Sequence, residues 1–349
     1  MKTILVTGGS GFIGSHTCIS LLENNYRVIV VDSFANSAPL NLNLLSEILD
    51  NKYSDLNERF FIFEGDIRDE DFLCEIFEMF QKNQKSINAV VHFAGLKAVN
   101  ESISRPLEYW SVNVGGTLSL LNTMVKYKCF QIVFSSSATV YDTDYSGILT
   151  EKAPLNPQNP YGRNKHTIEN ILNDIHFSKP DLWKIAVLRY FNPIGSHPSG
   201  KIGEIPKKDI SNLFPLISKV AAKERETLQI YGNDWPTHDG TCIRDFIHVM
   251  DLAESHLASL RYIDVSKPDI FTFNIGTGKG TTVLELIRIF EKVNKCSIPI
   301  EFVNRRQGDI SCSVASVKNA LNILDWSPKR SLEDACFDEW KWQQNKKCR

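Results

Sequence analysis

Short apolar runs alternate with amphipathic stretches along the first half of the chain. The apolar runs, which are rich in β-branched and aromatic residues, span 3–8, 27–32, 60–66, 89–95, 131–136 and 184–191. Runs that are apolar on both faces are typical of buried parallel strands. Apolar positions recur at helical spacing in 12–24, 70–82, 106–127 and 161–176. Alternating strands and helices predict an α/β fold with a doubly wound parallel sheet.

The pattern becomes less regular after residue 190. A loop rich in Gly, Pro and charge, 197–209, precedes a helix-like stretch at 213–226. We therefore expect two domains, 1–190 and 191–349, the second a smaller mixed α/β unit. Within it, 245–260 and 271–277 again suggest a helix and a strand, and we expect parts of 245–277 to pack back against the first domain.

Composition excludes several classes of protein. The 349 residues are 42% apolar and 23% charged, which is ordinary for a globular chain of about two domains. The formal charge of −2 gives no reason to expect nucleic acid or an anionic membrane as a partner. Without a membrane-length apolar run or a secretory signal, we expect a cytoplasmic protein. Eight scattered cysteines without metal-ligand spacing predict reduced thiols and no metal site.

Glycines follow the first predicted strand directly. The stretch TGGSGFIGS places Gly8, Gly11 and Gly14 before the first predicted helix, where backbone N–H groups can hold a pyrophosphate. Asp32 closes the second strand, where a carboxylate can accept a hydrogen bond from a ribose 2′-OH and repels a 2′-phosphate. The sequence therefore predicts a Rossmann-type site for NAD rather than NADP. Asp66, after the third strand, fits either a cofactor contact or a helix N-cap.

A tyrosine and a lysine lie four residues apart in NPYGRNK. On a helix, Tyr161 and Lys165 share one face, and a cation one turn away, together with a positive nicotinamide ring, favours a tyrosine phenolate. Ser137, at the end of the fifth predicted strand, can hydrogen-bond to the same substrate hydroxyl. Together with the glycine motif, these three side chains predict proton abstraction coupled to hydride transfer.

These motifs resemble the extended short-chain dehydrogenase/reductase superfamily and, within it, the UDP-glucose (UDP-galactose) 4-epimerase family. The resemblance runs from Thr3 to about Trp342. Its most specific parts include TGGSGFIGSH, HFAGLKAVNES, SSSATVY, NPYGRNK, RYFNPIGSHPSGKIGE, NDWPTHDGTCIRDFIHVMDLA and RRQGD. The motifs of the second half indicate the substrate, because many enzymes of the superfamily share those of the first half.

The resemblance implies two sets of binding residues, one in each domain for the most part. Those implied for NAD are Gly8, Gly11, Phe12, Ile13, Gly14, Asp32, Ser33, Asn36, Asp66, Ile67, Phe93, Ala94, Lys97, Asn113, Tyr161, Lys165 and Tyr190. Those implied for a nucleotide sugar are Ser137, Thr139, Tyr190, Phe191, Asn192, Asn212, Leu213, Gln229, Tyr231, Arg244, Arg306, Asp309 and Ser313. Arg244 and Arg306 suit a diphosphate, which guanidinium groups bind in bidentate fashion.

The resemblance also implies a reaction: reversible epimerisation of a UDP-hexose at C4 through a transient 4-keto sugar, with NAD tightly bound. Tyr161, Lys165 and Ser137 would be catalytic. Where relatives place either a bulky tyrosine or a small residue against the sugar, this chain has Ser313. We therefore expect UDP-N-acetylglucosamine to be epimerised as well. The resemblance further implies a homodimer formed through helices such as 106–127 and 161–176.

Other classes of protein are less consistent with the sequence. A 4,6-dehydratase would carry an acid where this chain has Ala138 and Thr139. A uronate epimerase or decarboxylase remains open. A non-catalytic NAD-binding sensor would usually lack the pair of Tyr161 and Lys165. One departure from the family pattern is Asp142, where relatives usually have glycine.

Overall fold

Parallel strands dominate the computed structural model, which describes residues 1–50, 52–145, 147–205, 212–306 and 308–347. In chain order the strands are β1 (Thr3–Thr7), β2 (Arg27–Asp32), β3 (Phe60–Glu64), β4 (Ile87–His92), β5 (Gln131–Ser137), β6 (Lys184–Tyr190), β7 (Asn192–Ile194), β8 (Leu228–Tyr231), β9 (Ile243–Arg244), β10 (Phe246–His248), β11 (Asp269–Ile275), β12 (Thr281–Thr282), β13 (Ile300–Val303) and β14 (Cys312–Ser313). Seven of them form one sheet in the order β11-β6-β5-β4-β1-β2-β3, and each neighbouring pair is parallel. This arrangement confirms the predicted doubly wound sheet.

Helices cover both faces of this sheet, and others build the core of the second half. They are α1 (Phe12–Glu23), α2 (Leu40–Leu49), α3 (Leu56–Arg59), α4 (Glu70–Lys82), α5 (Val99–Ser104), α6 (Pro106–Tyr109), a π-helical segment (Trp110–Gly115), α7 (Gly116–Lys126), a 3₁₀ turn (Ala138–Val140), α8 (Pro160–Ser178), α9 (Leu213–Ala221), α10 (Val249–Val265), α11 (Val283–Asn294), α12 (Lys318–Leu324) and α13 (Leu332–Lys347). No helix in the described part of the chain is both long and apolar enough to cross a membrane.

Alternate residues of the central strands enter two different cores. In β1, Ile4 and Val6 join a buried cluster with side chains of α1 and α10, whereas Leu5 joins a second cluster with side chains of α4, α7 and α8. Both faces of the strand are therefore apolar, which explains the continuous apolar runs in the sequence.

Two predicted helices differ from the observed ones. The stretch 106–127 is interrupted by a π-helical segment that ends at Gly115–Gly116, and glycine is a weak helix former. Gly116 is close to Ile67, whose Cδ1 would lie 2.5 Å from an added Cβ. The helix predicted at 213–226 ends at Ala221, and Lys223 then takes the left-handed conformation with φ of +59°.

The chain returns to the main sheet after leaving it at residue 190. β11 pairs with β6 along its whole length, from Asp269 opposite Lys184 to Ile275 opposite Tyr190. The stretch 245–260, predicted as a helix, begins instead with the short strand β10, and α10 follows and packs against α1. A segment of the second half thus completes the sheet of the first.

The rest of the second half has its own small core. Side chains of α9, α11 and α13 pack together with those of β8, as in the buried cluster of Phe214, Leu228, Phe290 and Ala335. The small sheets of this half are formed by β7 with β10, by β8 with β13, and by β9 between β12 and β14. The described cysteines are free thiols, and Cys348 lies outside the described residues.

Candidate active site

A cavity opens at the carboxyl ends of the central strands, where the glycine loop joins β1 to α1. Gly8 has φ of +71°, and a Cβ there would lie 2.6 Å from Ala94 N. A Cβ on Gly14 would lie 2.3 Å from Gly8 O. Gly11 is the N-cap of α1 and has no side chain to occupy the first N–H groups of the helix, and no acidic residue lies in the first turn. This helix N-terminus is suited to bind an anion.

Asp32 lies at the end of β2 and is oriented by three donors. Its Oδ2 accepts from Ser10 N at 2.9 Å, and its Oδ1 accepts from Phe34 N at 2.9 Å and Ser37 Oγ at 2.8 Å. A carboxylate has about four acceptor positions, so Asp32 retains capacity for one more donor. Since Asp32 also lines the cavity, this capacity is consistent with the predicted bond from a ribose hydroxyl.

The structure excludes one of the two roles predicted for Asp66. The N-cap of α4 is Asp69, whose carboxylate accepts from Phe72 N at 3.0 Å, so Asp66 is not the cap. Asp66 lines the cavity and forms an ion pair with Arg68 at 2.6 Å. Hydrogen bonds from the Arg68 guanidinium hold the pKa of Asp66 below its usual value.

All but one of the residues implied for NAD line this cavity. The exception, Asn113, is buried, and its amide exchanges two hydrogen bonds with the backbone of Leu96, at 2.7 and 3.0 Å. Asn113 therefore holds the loop that follows β4. Sequence reasoning missed Glu204, which also lines the cavity and forms an ion pair with Lys97 at 2.7 Å.

Tyr161 and Lys165 line the cavity, and Ser137 lies beside Tyr161. Asn159 caps α8 by accepting from Gly162 N at 2.8 Å, which fixes Tyr161 in the first turn. Ser137 lies close enough to the Tyr161 hydroxyl to favour a lower pKa of that group. Lys165 Nζ lies 5.8 Å from the centroid of the Tyr161 ring and donates to Ser135 O at 2.7 Å. The predicted helical spacing thus produces a shared site.

Burial controls the protonation of this pair. It raises the pKa of Tyr161 to about 12, although the Ser137 hydrogen bond acts in the opposite direction. Burial lowers the pKa of Lys165 to about 8, opposed by the negative charge of Glu169. Lys165 alone therefore does not produce the phenolate, which we expected from Lys165 together with a positive nicotinamide ring. A further positive charge beside Tyr161 is required for it to act as a base near neutral pH.

Residues implied for the nucleotide sugar occupy several neighbouring elements. Thr139 donates to Ser137 Oγ at 3.0 Å, and Tyr190 lines the cavity described above. Phe191 is buried with Tyr141 in a small separate cluster, and Asn192 is exposed on β7. Asn212 and Leu213 begin α9, Gln229 and Tyr231 lie on β8, and Asp309 follows the loop after β13.

The two arginines implied for the nucleotide sugar have identifiable partners. Arg306 stacks on Tyr231, with its guanidinium carbon 4.2 Å from the ring centroid. Arg244 donates to Ile310 O at 2.8 Å and lies 3.7 Å from Asp309. Arg244, on β9, is also paired in register with Ser313, a buried residue on β14.

The three serines at the end of β5 have different partners, which sequence reasoning did not reveal. Ser137 accepts from Thr139 and lies beside Tyr161, but Ser136 donates to Glu169, which is also paired with Arg189 at 2.6 Å. The Ser135 hydroxyl instead faces a histidine more than one hundred residues away in sequence, on α10. Lys165 and Glu169 are four residues apart on α8 and therefore neighbours on its surface, so the sequence could have indicated that these two charges interact.

The unusual Asp142 has a local explanation. Its Oδ1 accepts from Asp144 N at 3.2 Å and from Asn156 Nδ2 at 3.4 Å, so it stabilises a turn after the 3₁₀ segment. Among the residues that the structure describes, no group of three His, Cys, Asp or Glu side chains is placed to hold a metal ion.

Comparison with known proteins agrees with this geometry. The sequence profile of the NAD dependent epimerase/dehydratase family matches residues 4–276. The UDP-glucose 4-epimerase of Bacillus subtilis (strain 168) is 45% identical over 97% of this chain and 96% of its own length. The chain therefore belongs to the NAD dependent epimerase/dehydratase family. This result confirms the resemblance to the 4-epimerases that the motifs indicated.

Solved structures are similar over nearly the whole chain. UDP-glucose 4-epimerase from Bifidobacterium longum, in complex with NAD+ and UDP, superposes with a TM-score of 0.90 at 42% identity, covering 99% of this chain and 98% of that one. The UDP-Glc/GlcNAc 4-epimerase of Campylobacter jejuni superposes with a TM-score of 0.82 at 32% identity, covering 99% and 100%.

Proposed function

We propose that the protein interconverts UDP-glucose and UDP-galactose by epimerisation at C4 with bound NAD. The observation that carries the proposal is that Tyr161, with Ser137 beside it, and Lys165 share a cavity whose other walls include the glycine loop and Asp32. The overall similarity of the chain to the Bacillus and Bifidobacterium enzymes supports the same activity. Among the residues that the structure describes, no feature favours a dehydratase, a uronate-handling enzyme or a non-catalytic sensor.

The residues present fit NAD. The N-terminus of α1 presents N–H groups without side-chain competition, and a Cβ on Gly8 or Gly14 would collide with neighbouring backbone, which leaves the loop bare for a pyrophosphate. Asp32 has one free acceptor position for a ribose hydroxyl and repels a 2′-phosphate. When bound, NAD supplies the hydride acceptor and a positive charge near Tyr161.

In this mechanism, Tyr161 removes the proton from the sugar 4-hydroxyl while C4 loses its hydride, which leaves a 4-keto sugar. Ser137, beside Tyr161, hydrogen-bonds to the same sugar hydroxyl, and Lys165, held by the Ser135 carbonyl, supplies a second positive charge on the same helix face. Return of the proton from Tyr161 and of the hydride to the opposite face of C4 gives the epimer. No net oxidation occurs, so the cofactor is regenerated in each turnover.

The test is incubation of purified protein with UDP-galactose and no added cofactor, followed by chromatography for UDP-glucose. We expect conversion by the wild type and a loss of at least about 100-fold in kcat for Tyr161→Phe, with NAD retained. Tyr262→Phe is the control, because Tyr262, on α10, packs against Phe271 of β11 and does not line the cavity. Absence of conversion by the wild type would refute the proposed activity.

We also propose that the N-acetylated pair, UDP-N-acetylglucosamine and UDP-N-acetylgalactosamine, is accepted. Ser313 is a small side chain paired with Arg244, and the Campylobacter relative is named for both glucose and N-acetylglucosamine substrates. We expect Ser313→Tyr to reduce turnover of the N-acetyl substrate selectively, since a bulky ring removes space beside C2. Equal loss with both substrates would argue against a size filter at this position.

We further propose a cytoplasmic homodimer, with 1–190 binding NAD and 191–349 binding the nucleotide sugar. Ile103, Leu107 and Leu118 are exposed by 62%, 83% and 45% on helices of the stretch 99–126. Exposed apolar side chains on neighbouring helices are typical of an interface. Leu107→Glu should convert dimers to monomers in analytical ultracentrifugation, whereas Val265→Glu, at an equally exposed residue on α10, should not.

A further inference from the structure

His256 lies behind the reacting end of the cavity without lining it. It is on α10, and its side chain is fully buried against the part of the sheet formed by β5 and β6. The family motif DFIHVMDLA, which includes the start of α10, does not reach this residue. The contacts of His256 connect it to three residues of the site: Ser135, Phe93 and Tyr190.

The hydrogen bonds of His256 define its tautomer. Nδ1 lies 2.8 Å from Leu252 O, which can only accept, so Nδ1 carries the proton. Nε2 is therefore an acceptor, and the Ser135 hydroxyl donates to it at 2.9 Å. Burial lowers the pKa of His256 to about 4, so the ring is neutral near pH 7 and its acceptor is preserved.

Ser135 connects His256 to Lys165. The carbonyl of Ser135 accepts a hydrogen bond from Lys165 Nζ at 2.7 Å, and its hydroxyl donates one to His256. Ser135 is therefore hydrogen-bonded to Lys165 on α8 and to His256 on α10. Since Ser135 and Lys165 are both buried, neither bond is exchanged with bulk water. The position of the ammonium group therefore depends on the placement of this residue.

The ring of His256 also supports two walls of the cavity. Its centroid is 4.7 Å from the Phe93 ring and 6.4 Å from the Tyr190 ring, and both of these aromatic residues line the cavity. Protein interiors are packed closely enough that a change in one ring displaces its neighbours. A group that fixes both walls fixes the position of anything bound between them.

We infer that His256 is a positioning residue for the proposed epimerisation: it fixes Ser135 beneath Lys165 and packs behind Phe93 and Tyr190, so that the hydride donor and acceptor are aligned. The inference rests on the proposed function. Displacing reacting groups by about 1 Å can reduce a rate by about 100-fold, and this is the effect that His256 prevents.

His256→Phe keeps an aromatic ring but removes both hydrogen bonds. We expect kcat for UDP-galactose to fall by about tenfold, with KM changed by less than about twofold, because the substrate is still bound but less well aligned. With deuterium at C4 of the sugar, the isotope effect on kcat should increase, because hydride transfer then limits the rate more strongly. Loss of folded protein alone would lower kcat without changing the isotope effect.

Two further variants make the test specific. Ser135→Ala removes the same hydrogen bond from the strand side, retains the carbonyl that binds Lys165, and should change kcat and the isotope effect in the same direction. His248→Asn is the matched control: His248 is a buried histidine that caps α10 by accepting from Met250 N at 3.0 Å and contacts Asp338 at 3.2 Å. Asparagine is also a good N-cap, so we expect lower thermal stability with unchanged kcat and isotope effect.

Wild-type kcat and an unchanged isotope effect in both His256→Phe and Ser135→Ala would overturn the inference. So would an equal change in His248→Asn, which would indicate a general effect of destabilising α10. If His256→Phe does not fold, Ser135→Ala decides alone. Failure of the proposed function is distinguishable, because it would appear as no conversion of UDP-galactose by the wild type.

Discussion

Arg189→Met is expected to be one of the most destabilising substitutions in the molecule. Arg189 and Glu169 are buried, with exposures of 5% and 3%, and form two parallel hydrogen bonds of 3.0 and 2.6 Å. Arg189 also donates to Tyr141 Oη at 3.2 Å and to Glu151 O at 3.1 Å. After the substitution, the carboxylate of Glu169 would be buried with Ser136 as its remaining donor.

The magnitude follows from the uncompensated charge. Removing one partner of a buried ion pair costs about 3–5 kcal/mol in the free energy of unfolding. In a chain of this size, each kcal/mol lowers Tm by about 2 °C, so the expected loss is roughly 6–10 °C. Because two apolar side chains leave no unpaired charge, the double variant Glu169→Met/Arg189→Met should recover most of this loss.

Thermal and urea unfolding of the single and double variants would measure this cycle. Arg189→Lys is a useful control, since it keeps the charge but loses the bidentate geometry. A loss below about 1 kcal/mol in Arg189→Met, or strictly additive effects in the double variant, would refute the reasoning.

The same cycle has a predicted effect on activity. The charge of Glu169 raises the pKa of Lys165, so the double variant should lower that pKa below its value of about 8. An ammonium group is charged below its pKa and loses the charge above it. The alkaline limb of the pH–rate profile should therefore move to lower pH in the double variant, which a series of kcat measurements would detect.

Two further predictions concern cofactor retention and acid stability. Gly14→Ala should remove NAD from the purified protein, because the added Cβ would lie 2.3 Å from the backbone oxygen of Gly8. Gly115→Ala is the control and should retain NAD, because the nearest atom to its Cβ is 3.9 Å away. Release of the cofactor, followed by its absorbance, measures both variants. Burial lowers the pKa of His16 and His92 to about 3, below the unfolded value of 6.5. The unfolded chain then binds more protons between those values, so the free energy of unfolding should rise with pH up to about 6.5, by as much as about 1.4 kcal/mol per pH unit for each histidine. Glu339, whose pKa is raised to about 7, opposes this trend. A free energy of unfolding in urea that did not change with pH over this window would contradict the prediction for the two histidines.

Much of the fold followed from local pattern. β1 to β6 begin and end within three residues of the predicted runs, because strands buried on both faces are apolar at nearly every position. The cofactor loop followed from glycine spacing, and the pair Tyr161 and Lys165 from helical periodicity. Each of these signals lies within a few consecutive residues.

The remaining features depend on residues far apart in sequence. Ser135 and His256 are 121 residues apart, and their contact exists because α10 of the second half packs on the sheet of the first. The helix α2 was not predicted, and it lies in a connection between β2 and β3 where apolar and polar positions give no strong period. Likewise, β10 is three residues long and is defined by its pairing with β7 rather than by its own sequence.

The position of β11 has a consequence for synthesis of the protein. β6 becomes available on the nascent chain roughly 80 residues before its outer neighbour β11 is made. At typical translation rates this interval lasts about 4–16 s. Throughout that time β6 has an open apolar edge, which is the kind of surface that pairs with other chains. Folding in the cell therefore depends on how well this edge is shielded, and slow translation between residues 190 and 269 would favour aggregation over a correctly closed sheet.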